Sequence, residues 1–280
     1  MRLLRPKHWI KNGLIFVPVI FSGALFSSET ILKLLGAFVV FSLIASSIYI
    51  INDIRDVEKD KRHKAKKMRP IPSGQVSIKE AYVLFFTVVG VAIFAGWYVV
   101  DLSLSAWLLL VGYFVINTAY SFGLKNIPIV DVSILSAGFV IRVLFGAAVV
   151  DVAVSSWLYM TILAGALYLG LGKRRNEIQR NGVLTRAVNK YYSIAFLDKN
   201  MYVCMALLLV FYSLWATDPQ RGESYLFLTI PLLIVLFMTY SLTVEKNTSS
   251  GDPVDVLTSS KPLVALALLY VVTTVLLVYI

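Results

Sequence analysis

Three aspartates recur at short intervals just after the second apolar stretch of the chain. Asp53, Asp56 and Asp60 are separated by three and four residues, and Asn52 precedes them. If one helix continues through this segment, that spacing places all four side chains on one face. Carboxylates so close together repel one another at the edge of a low-dielectric medium, so a cation should compensate them. Mg²⁺, with Mn²⁺ as a possible substitute, suits hard oxygen ligands and commonly joins one or two carboxylates to substrate phosphates.

A basic run follows these aspartates directly. It includes Lys67 and Arg69, and it ends in a Pro-Ile-Pro-Ser-Gly sequence at residues 70–74 that breaks the helix. Carboxylates that hold a metal, beside cations that hold phosphate oxygens, describe a site for a metal-bound diphosphate.

Two plainer interpretations of the same segments stay open. The acids could pair with Arg55, Lys59 and Arg62 at an ordinary solvated helix end. The basic run could serve only to contact lipid headgroups.

Two further polar segments could contribute to such a site. The turn at residues 120–131 offers a phenol, an ammonium and a carboxylate, and the loop at residues 172–198 opens with a basic sequence. The candidate residues are Tyr120, Lys125, Asp131, Lys173 and Arg174. Near the N-terminus, Lys7 and Lys11 could hold phosphate as well.

The elements that carry these segments are predicted to be membrane-spanning helices. Of the 280 residues, 58% are apolar and 15% are charged, whereas soluble proteins carry about 25% charged residues. Nine charge-poor stretches approach the roughly 17 to 25 residues that a helix needs to cross a bilayer. They are Asn12–Ser28, Leu34–Asn52, Ala81–Val100, Leu102–Leu124, Val132–Val150, Val152–Gly172, Asn200–Thr217, Ser224–Val244 and Pro262–Ile280. We therefore expect an all-α polytopic membrane protein with nine transmembrane helices.

The distribution of basic residues predicts the orientation of these helices. With nine spans, one side of the membrane receives 23 of the 26 Lys and Arg residues, and cytoplasmic loops are the ones that accumulate such charge. The N-terminus and the polar loops should therefore be cytoplasmic, and Ile280 should lie outside. The N-terminal basic segment could imitate a secretory signal, but we expect a retained first helix. The single cysteine, Cys204, excludes an intramolecular disulfide framework.

One charge, Arg142, falls inside a predicted span. It lies eleven residues beyond Asp131, or about 16 Å along a helix. Such depth is costly unless the charge faces a cavity or a partner. Arg142 could therefore form a structural ion pair or contact an anionic substrate.

The sequence Asn52-Asp53-x-x-Asp56-x-x-x-Asp60, followed by Arg69-Pro70-Ile71-Pro72-Ser73-Gly74, resembles the first aspartate-rich motif of the UbiA prenyltransferase superfamily. The resemblance implies one transmembrane domain over residues 1–280, with helices around a central cavity that the cytoplasmic loops at about 52–76, 120–131 and 172–198 cap.

Within that superfamily, the chain resembles the decaprenyl-phosphate phosphoribosyltransferase branch. The similar stretches include residues 4–12, 120–125, 138–142 and 251–257. The chain lacks the usual second motif of two acids, because Asp131 is the only acid in that loop, and Arg175 replaces an expected aromatic residue.

The branch implies Mg²⁺-dependent transfer of 5-phosphoribosyl from phosphoribosyl pyrophosphate to a polyprenyl phosphate in a bacterial or archaeal plasma membrane. In this interpretation Asp53, Asp56 and Asp60 bind the metal and, with Asp131, form the catalytic set. The residues expected to contact the substrates are Lys7, Lys11, Asn52, Lys67, Arg69, Tyr120, Lys125, Arg142, Lys173 and Arg174. The implied pathway leads to cell-wall precursors such as lipid-linked pentose, and we expect membrane lipids but no nucleic acid as partners. Prenyl transfer to an aromatic or other acceptor is the alternative, and a non-enzymatic transporter is a second one.

Overall fold

The computed structural model describes residues 2–21, 27–62, 66–181, 186–219, 225–245 and 253–279. Within these ranges the chain is helical and contains no β-strand, which confirms the predicted all-α class. The α-helices are α1 (Val17–Phe21), α2 (Ser28–Arg55), α3 (Val57–Lys61), α4 (Ile78–Tyr98), α5 (Leu104–Phe122), α6 (Val130–Val149), α7 (Ser156–Asn181), α8 (Ile194–Ala216), α9 (Ile230–Glu245), α10 (Pro253–Ser259) and α11 (Lys261–Tyr279). Short 3-10 segments lie at Arg2–Leu4, Pro6–Phe16, Lys66–Met68, Leu124–Asn126, Ala187–Tyr191 and Tyr225–Thr229.

Seven helical segments in the described part of the chain are long and apolar enough to cross a membrane. They are α2, α4, α5, α6, α8, Tyr225–Glu245 and α11. Each matches one of the nine predicted spans, so seven of the nine are confirmed as candidate spans within the described residues.

The two other predicted spans do not meet this criterion of length and apolar character, each for its own reason. The prediction for Asn12–Ser28 crosses residues 22–26, which lie outside the described residues, and its earlier part is 3-10 helix as far as Phe16 and α-helix over Val17–Phe21. The prediction for Val152–Gly172 lies on α7, but the first turns of α7 carry Trp157, Tyr159 and Thr161. The polar character of those turns shortens the apolar stretch that precedes Lys173.

The chain divides into two compact units, and the first comprises residues 2–19, 27–122 and 141–152 of the described chain. In this unit α2 packs against α4 and α5. Helix α2 begins after Ser27, whose hydroxyl accepts a hydrogen bond from the Thr30 N–H, and α4 begins with a capping box between Ser77 and Glu80. These caps satisfy N–H groups that the first helical turn leaves without backbone partners.

The 3-10 segment Pro6–Phe16 lies along α2 in the first unit. Trp9 Nε1 donates to Ser46 Oγ at 3.0 Å, and Asn12 Nδ2 donates to Ser42 Oγ at 2.9 Å. In α6, Gly146 lies directly against this segment, because a methyl group added to its Cα would be 2.0 Å from the backbone carbonyl oxygen of Ile15. The sequence therefore needs glycine at this position for the close approach of two backbones.

The second unit comprises residues 20–21, 123–140, 153–181, 186–219, 225–245 and 253–279 of the described chain. Here α7 packs along α8, and α9 packs against α8 and α11. The start of α6 also belongs to this unit, and it approaches α7 closely. Ser136 donates a hydrogen bond to the Ala166 carbonyl at 3.0 Å, and Gly170 leaves little room for a side chain beside Val132. The close packing fixes Asp131, in the first turn of α6, relative to the cytoplasmic end predicted for α7.

Candidate active site

The aspartate-rich segment lies where α2 ends and α3 begins, in the first unit. Asp53 is in the last turn of α2, and Asp60 is in α3. The predicted uninterrupted helix is not formed, because Asp56 separates α2 from α3 with φ −88° and ψ 9°. The helical hydrogen bonding nevertheless continues across the break, since Asp56 N–H donates to the Asn52 carbonyl at 3.0 Å and Asp60 N–H donates to the Asp56 carbonyl at 2.8 Å.

Two of the three aspartate side chains converge on one guanidinium group. Arg69 Nη1 donates to Asp53 Oδ1 at 3.0 Å and to Asp60 Oδ2 at 2.5 Å. The side chains of Asp53 and Asp60 are only 2% and 3% exposed, whereas Asp56 is half-buried. The predicted face of three carboxylates is therefore a buried pair with a third, more exposed acid.

Arg5 supplies a second cation to the same carboxylate pair. Its Nη2 donates to Asp53 Oδ1 at 2.5 Å, and its guanidinium carbon lies 4.9 Å from the centre of the Tyr49 ring. Arg5 has a left-handed backbone conformation, with φ 49° and ψ 58°, immediately before the 3-10 segment that begins at Pro6. Two arginines therefore compensate the charge of these carboxylates in the structure.

The loop that carries Arg69 is held by both backbone and core contacts. The Val76 N–H donates to the Pro70 carbonyl at 3.0 Å, and Gly74 occupies the left-handed region at φ 77°, which favours glycine. Ile71 is buried in a cluster with Leu3, Ile50 and Val57. The prolines and glycine therefore fold the loop back towards the end of α2, as predicted.

The other predicted site residues of the first unit differ in their exposure. Lys7 and Lys67 are exposed, and Lys11, Asn52 and Tyr120 are half-buried. Arg55, which one of the plainer interpretations pairs with the acids, instead lies over the Phe122 ring at 4.6 Å.

Arg142 forms a separate buried cluster in the first unit. Its Nε donates to Asn12 Oδ1 at 2.8 Å, and its Nη2 donates to Tyr113 Oη at 2.8 Å. The guanidinium group also lies over the rings of Tyr113 and Phe41, at 4.9 and 5.4 Å from their centres. Aromatic faces and neutral oxygens of this kind reduce the cost of burying the charge.

In the second unit, Asp131 and Arg174 form an ion pair with no exposed side-chain surface. Arg174 Nε donates to Asp131 Oδ2 at 2.5 Å, and Tyr192 Oη donates to Asp131 Oδ1 at 2.5 Å. The Tyr192 hydroxyl in turn accepts a hydrogen bond from the Ile129 N–H at 2.6 Å. Both carboxylate oxygens of Asp131 are therefore engaged by protein groups in this structure.

The same network extends from Arg174 towards the surface. Arg174 also pairs with Glu177, and Arg186 Nε donates to the other oxygen of Glu177 at 2.7 Å. Burial alone would raise the pKa of Glu177, but the guanidinium groups of Arg174 and Arg186 outweigh it and lower that pKa. Burial, together with Asp131, raises the pKa of Tyr192 to about 12. At neutral pH the Glu177 carboxyl is therefore ionised and the Tyr192 phenol is neutral.

The two lysines predicted for phosphate binding in the second unit are more accessible than Arg174. Lys173 and Lys125 are half-buried, and Lys125 lies in the 3-10 segment Leu124–Asn126, which packs against Ala187–Tyr191. Arg175, at the position where the family pattern predicts an aromatic residue, donates to Asp198 and Gln179.

The residues of the first unit fit a divalent cation on the basis of their donor set. Among the described residues no group of three or more His, Cys, Asp and Glu side chains is gathered closely enough to hold a metal. A magnesium–diphosphate site needs only one or two protein carboxylates, because phosphates and water complete the octahedron. The convergence of Asp53 and Asp60 on one cationic nitrogen meets that need.

Sequence reasoning missed several members of both clusters. Arg5 and Asn12 lie in the N-terminal stretch where only Lys7 and Lys11 are predicted to bind phosphate, and Tyr192, Glu177 and Arg186 lie in a loop interpreted from its basic charge. Buried acids require partners, so the isolated Asp131 and Glu177 were the available signal that a buried arginine and phenol would be found beside them.

Known proteins resemble the chain over nearly its whole length. It is 31% identical to the decaprenyl-phosphate phosphoribosyltransferase of Corynebacterium glutamicum, over 100% of this chain and 86% of that protein. It is equally identical to the enzyme of the same name from Mycobacterium tuberculosis, over 98% of this chain and 92% of that protein. Among solved structures, a UbiA homolog from Archaeoglobus fulgidus bound to GPP and Mg²⁺ has the same fold, with a TM-score of 0.71 at 18% identity and coverage of 100% of this chain and 99% of that one.

The family model for UbiA prenyltransferases matches residues 15–260, which include the Asp53–Asp60 pair, the Asp131–Arg174 pair and six of the seven helical segments long enough to span a membrane, while α11 begins just after the match. The protein is therefore an integral membrane transferase with several spans, and it belongs to the UbiA prenyltransferase family.

Proposed function

We propose that this protein transfers the 5-phosphoribosyl group of phosphoribosyl pyrophosphate to a polyprenyl phosphate. In the reaction, a phosphate oxygen of the lipid bonds to the anomeric carbon, the bond from that carbon to the diphosphate breaks, and diphosphate leaves with the electron pair. The nucleophile is already anionic, so no strong general base is required. Similarity over nearly the full chain to two decaprenyl-phosphate phosphoribosyltransferases is the observation that carries the proposal.

The leaving diphosphate is assigned to the acid pair of the first unit. Asp53 and Asp60 supply the buried carboxylates for Mg²⁺, with Asp56 and Asn52 in support. The cation, when bound there, neutralises charge that develops on the departing diphosphate. Arg69 and the exposed Lys67 are suited to hold its phosphate oxygens, because charge-assisted hydrogen bonds to phosphate are strong.

The remaining phosphates are assigned to other cations. Lys125 and Lys173, the accessible lysines of the second unit, are suited to the 5-phosphate, which a prenyl diphosphate lacks. The Arg174–Asp131 pair joins α7, which carries Lys173, to the start of α6, which follows the segment with Lys125. Lys7 and Lys11 extend the basic surface at the N-terminus, Arg142 is assigned to the lipid phosphate, and Tyr120 is a further substrate contact.

A metal titration tests the chemical core of this proposal. With a polyprenyl phosphate as acceptor, purified protein should release diphosphate from phosphoribosyl pyrophosphate only when Mg²⁺ or Mn²⁺ is present, and Asp53→Asn and Asp60→Asn should abolish turnover while the protein remains folded. Full activity of either variant, or of wild type in excess chelator, would refute the assignment.

The proposed orientation places the acid pair on the cytoplasmic side. In a Cys204→Ser background, a cysteine at the exposed Lys67 should react with a membrane-impermeant maleimide only in inverted vesicles, whereas one at the exposed Asp151 should react in right-side-out cells. The opposite labelling pattern would move the active site to the outer face.

Prenyl transfer remains the second candidate function. It is favoured by the family to which the chain belongs and by the GPP-bound structure with the same fold. A direct comparison of phosphoribosyl pyrophosphate with a prenyl diphosphate separates the two reactions.

A further inference from the structure

Two arginines neutralise the two buried aspartates that are assigned to the metal. Asp53 Oδ1 accepts from both Arg5 and Arg69, and Asp60 Oδ2 accepts from Arg69. The two guanidinium groups balance the charge of the two buried carboxylates. Without a ligand, the acid pair is therefore already compensated.

This charge balance opposes the entry of a divalent cation by itself. To coordinate Asp53 and Asp60, such a cation must displace the guanidinium groups, which then lie close to a like charge without an anionic partner. Repulsion of this kind is weakly screened at a partly buried site. Free metal should consequently bind poorly to the protein.

A metal–diphosphate complex removes that obstacle because it brings anions for the displaced arginines. Guanidinium groups form bidentate, charge-assisted hydrogen bonds with phosphate oxygens. The carboxylates can then bind the metal without moving far, while each arginine turns from carboxylate to phosphate. Opposite charges remain paired throughout the exchange.

The exposure of the four side chains matches such an exchange. The acids are 2% and 3% exposed and cannot easily move, whereas Arg5 and Arg69 are 19% and 27% exposed. The Tyr49 ring beneath the Arg5 guanidinium provides a second favourable contact that does not depend on the carboxylate. The arginines are therefore the mobile half of each pair.

We propose that Arg5 and Arg69 are exchangeable counter-ions that exclude a free divalent cation and admit it as its diphosphate complex. Arg5 is thereby a donor-binding residue, although it lies 48 residues from Asp53 in sequence. The inference rests on the metal–diphosphate part of the proposed function, and not on the identity of the group that the diphosphate activates.

The test measures Mn²⁺ binding rather than turnover. The full-length protein in detergent is titrated with Mn²⁺ alone, and separately with Mn²⁺ plus inorganic diphosphate, while bound ion is followed by electron paramagnetic resonance. Wild type should bind Mn²⁺ at least about tenfold more tightly with diphosphate, within the usual range of coupling between ligands.

Charge removal should move the two affinities in opposite directions. Arg5→Gln and Arg69→Gln should strengthen binding of Mn²⁺ alone by about tenfold and weaken binding of the diphosphate complex by a similar factor. Arg55→Gln is the matched control, because Arg55 ends the same helix but lies over Phe122. It should leave both affinities unchanged. Should an arginine-to-glutamine variant fail to fold, Arg69→Lys keeps the charge and should leave binding of Mn²⁺ alone weak.

Three results would overturn the inference. They are tight binding of Mn²⁺ alone by wild type, a change of both affinities in the same direction in the glutamine variants, and an effect of Arg55→Gln equal to theirs. Inorganic diphosphate is common to phosphoribosyl and prenyl donors, so a failure here is distinct from a failure to use phosphoribosyl pyrophosphate.

Discussion

Replacement of Arg174 by Met should destabilise the protein strongly, because it leaves two carboxylates without their shared cation. Arg174 has no exposed side-chain surface, and it bonds both Asp131 and Glu177. Methionine fills much of the same volume, so the main cost is electrostatic rather than a cavity. Removal of one partner from a buried ion pair costs about 3 to 5 kcal/mol. Since a folded protein is stable by only about 5 to 15 kcal/mol, the loss is a large fraction of the total.

The measurement is the free energy of unfolding in mixed detergent micelles, with thermal unfolding as a second readout. Lys173→Met is the matched control, because Lys173 is the neighbouring residue on α7 but is only half-buried. It should cost less than about 1 kcal/mol. The double variant Arg174→Met, Asp131→Asn should recover part of the loss, because the most deeply buried uncompensated charge is then absent.

Equal stability of Arg174→Met and Lys173→Met would refute this interpretation of the network. That outcome would instead return Arg174 to the role predicted from sequence, in which it contacts a phosphate of the donor. We assign the donor phosphate to the accessible lysines instead. The stability of Arg174→Met therefore distinguishes a structural role of Arg174 from a phosphate-binding role.

Three further predictions concern other parts of the chain. Gly146→Ala should lower stability by about 1 to 3 kcal/mol in thermal unfolding, because its methyl group would meet the Ile15 carbonyl, while Gly112→Ala, which meets open space, should not. Tyr192→Phe removes a phenol with a pKa of about 12, raised by burial and a nearby carboxylate. Since the folded state favours the neutral phenol, wild type should lose stability relative to this variant as the pH rises from about 10 to 12, and parallel pH curves would contradict this. Lys125→Ala should weaken binding of phosphoribosyl pyrophosphate by about 1.5 to 3 kcal/mol in titration calorimetry, with little change for the lipid acceptor.

The spans and the acid-rich segment could be predicted because their signals are local in sequence. Apolar stretches of the required length identify α2, α4, α5 and the other candidate spans directly. The spacing of Asp53 and Asp60 gave the convergence of the acids, although Asp56 interrupts the helix that carries them.

The partners of these acids could not be predicted because they come from distant parts of the chain. Arg5 lies 48 residues from Asp53, and Tyr192 lies 61 residues from Asp131. No spacing rule relates residues so far apart, since the folding of intervening segments decides which of many cations and phenols approaches. The burial of Arg174 could not be predicted for the same reason. Its basic neighbours in sequence suggested a phosphate contact, whereas tertiary packing buries it against Asp131.

The choice of donor tests the proposed function most directly. Purified protein in detergent is incubated with Mg²⁺, a polyprenyl phosphate and labelled phosphoribosyl pyrophosphate, and in parallel with a long-chain prenyl diphosphate and an aromatic acceptor. Our account predicts equimolar formation of a lipid-linked phosphoribosyl product and diphosphate in the first reaction, and no consumption of donor in the second. Consumption of the prenyl diphosphate, with phosphoribosyl pyrophosphate left intact, would contradict it.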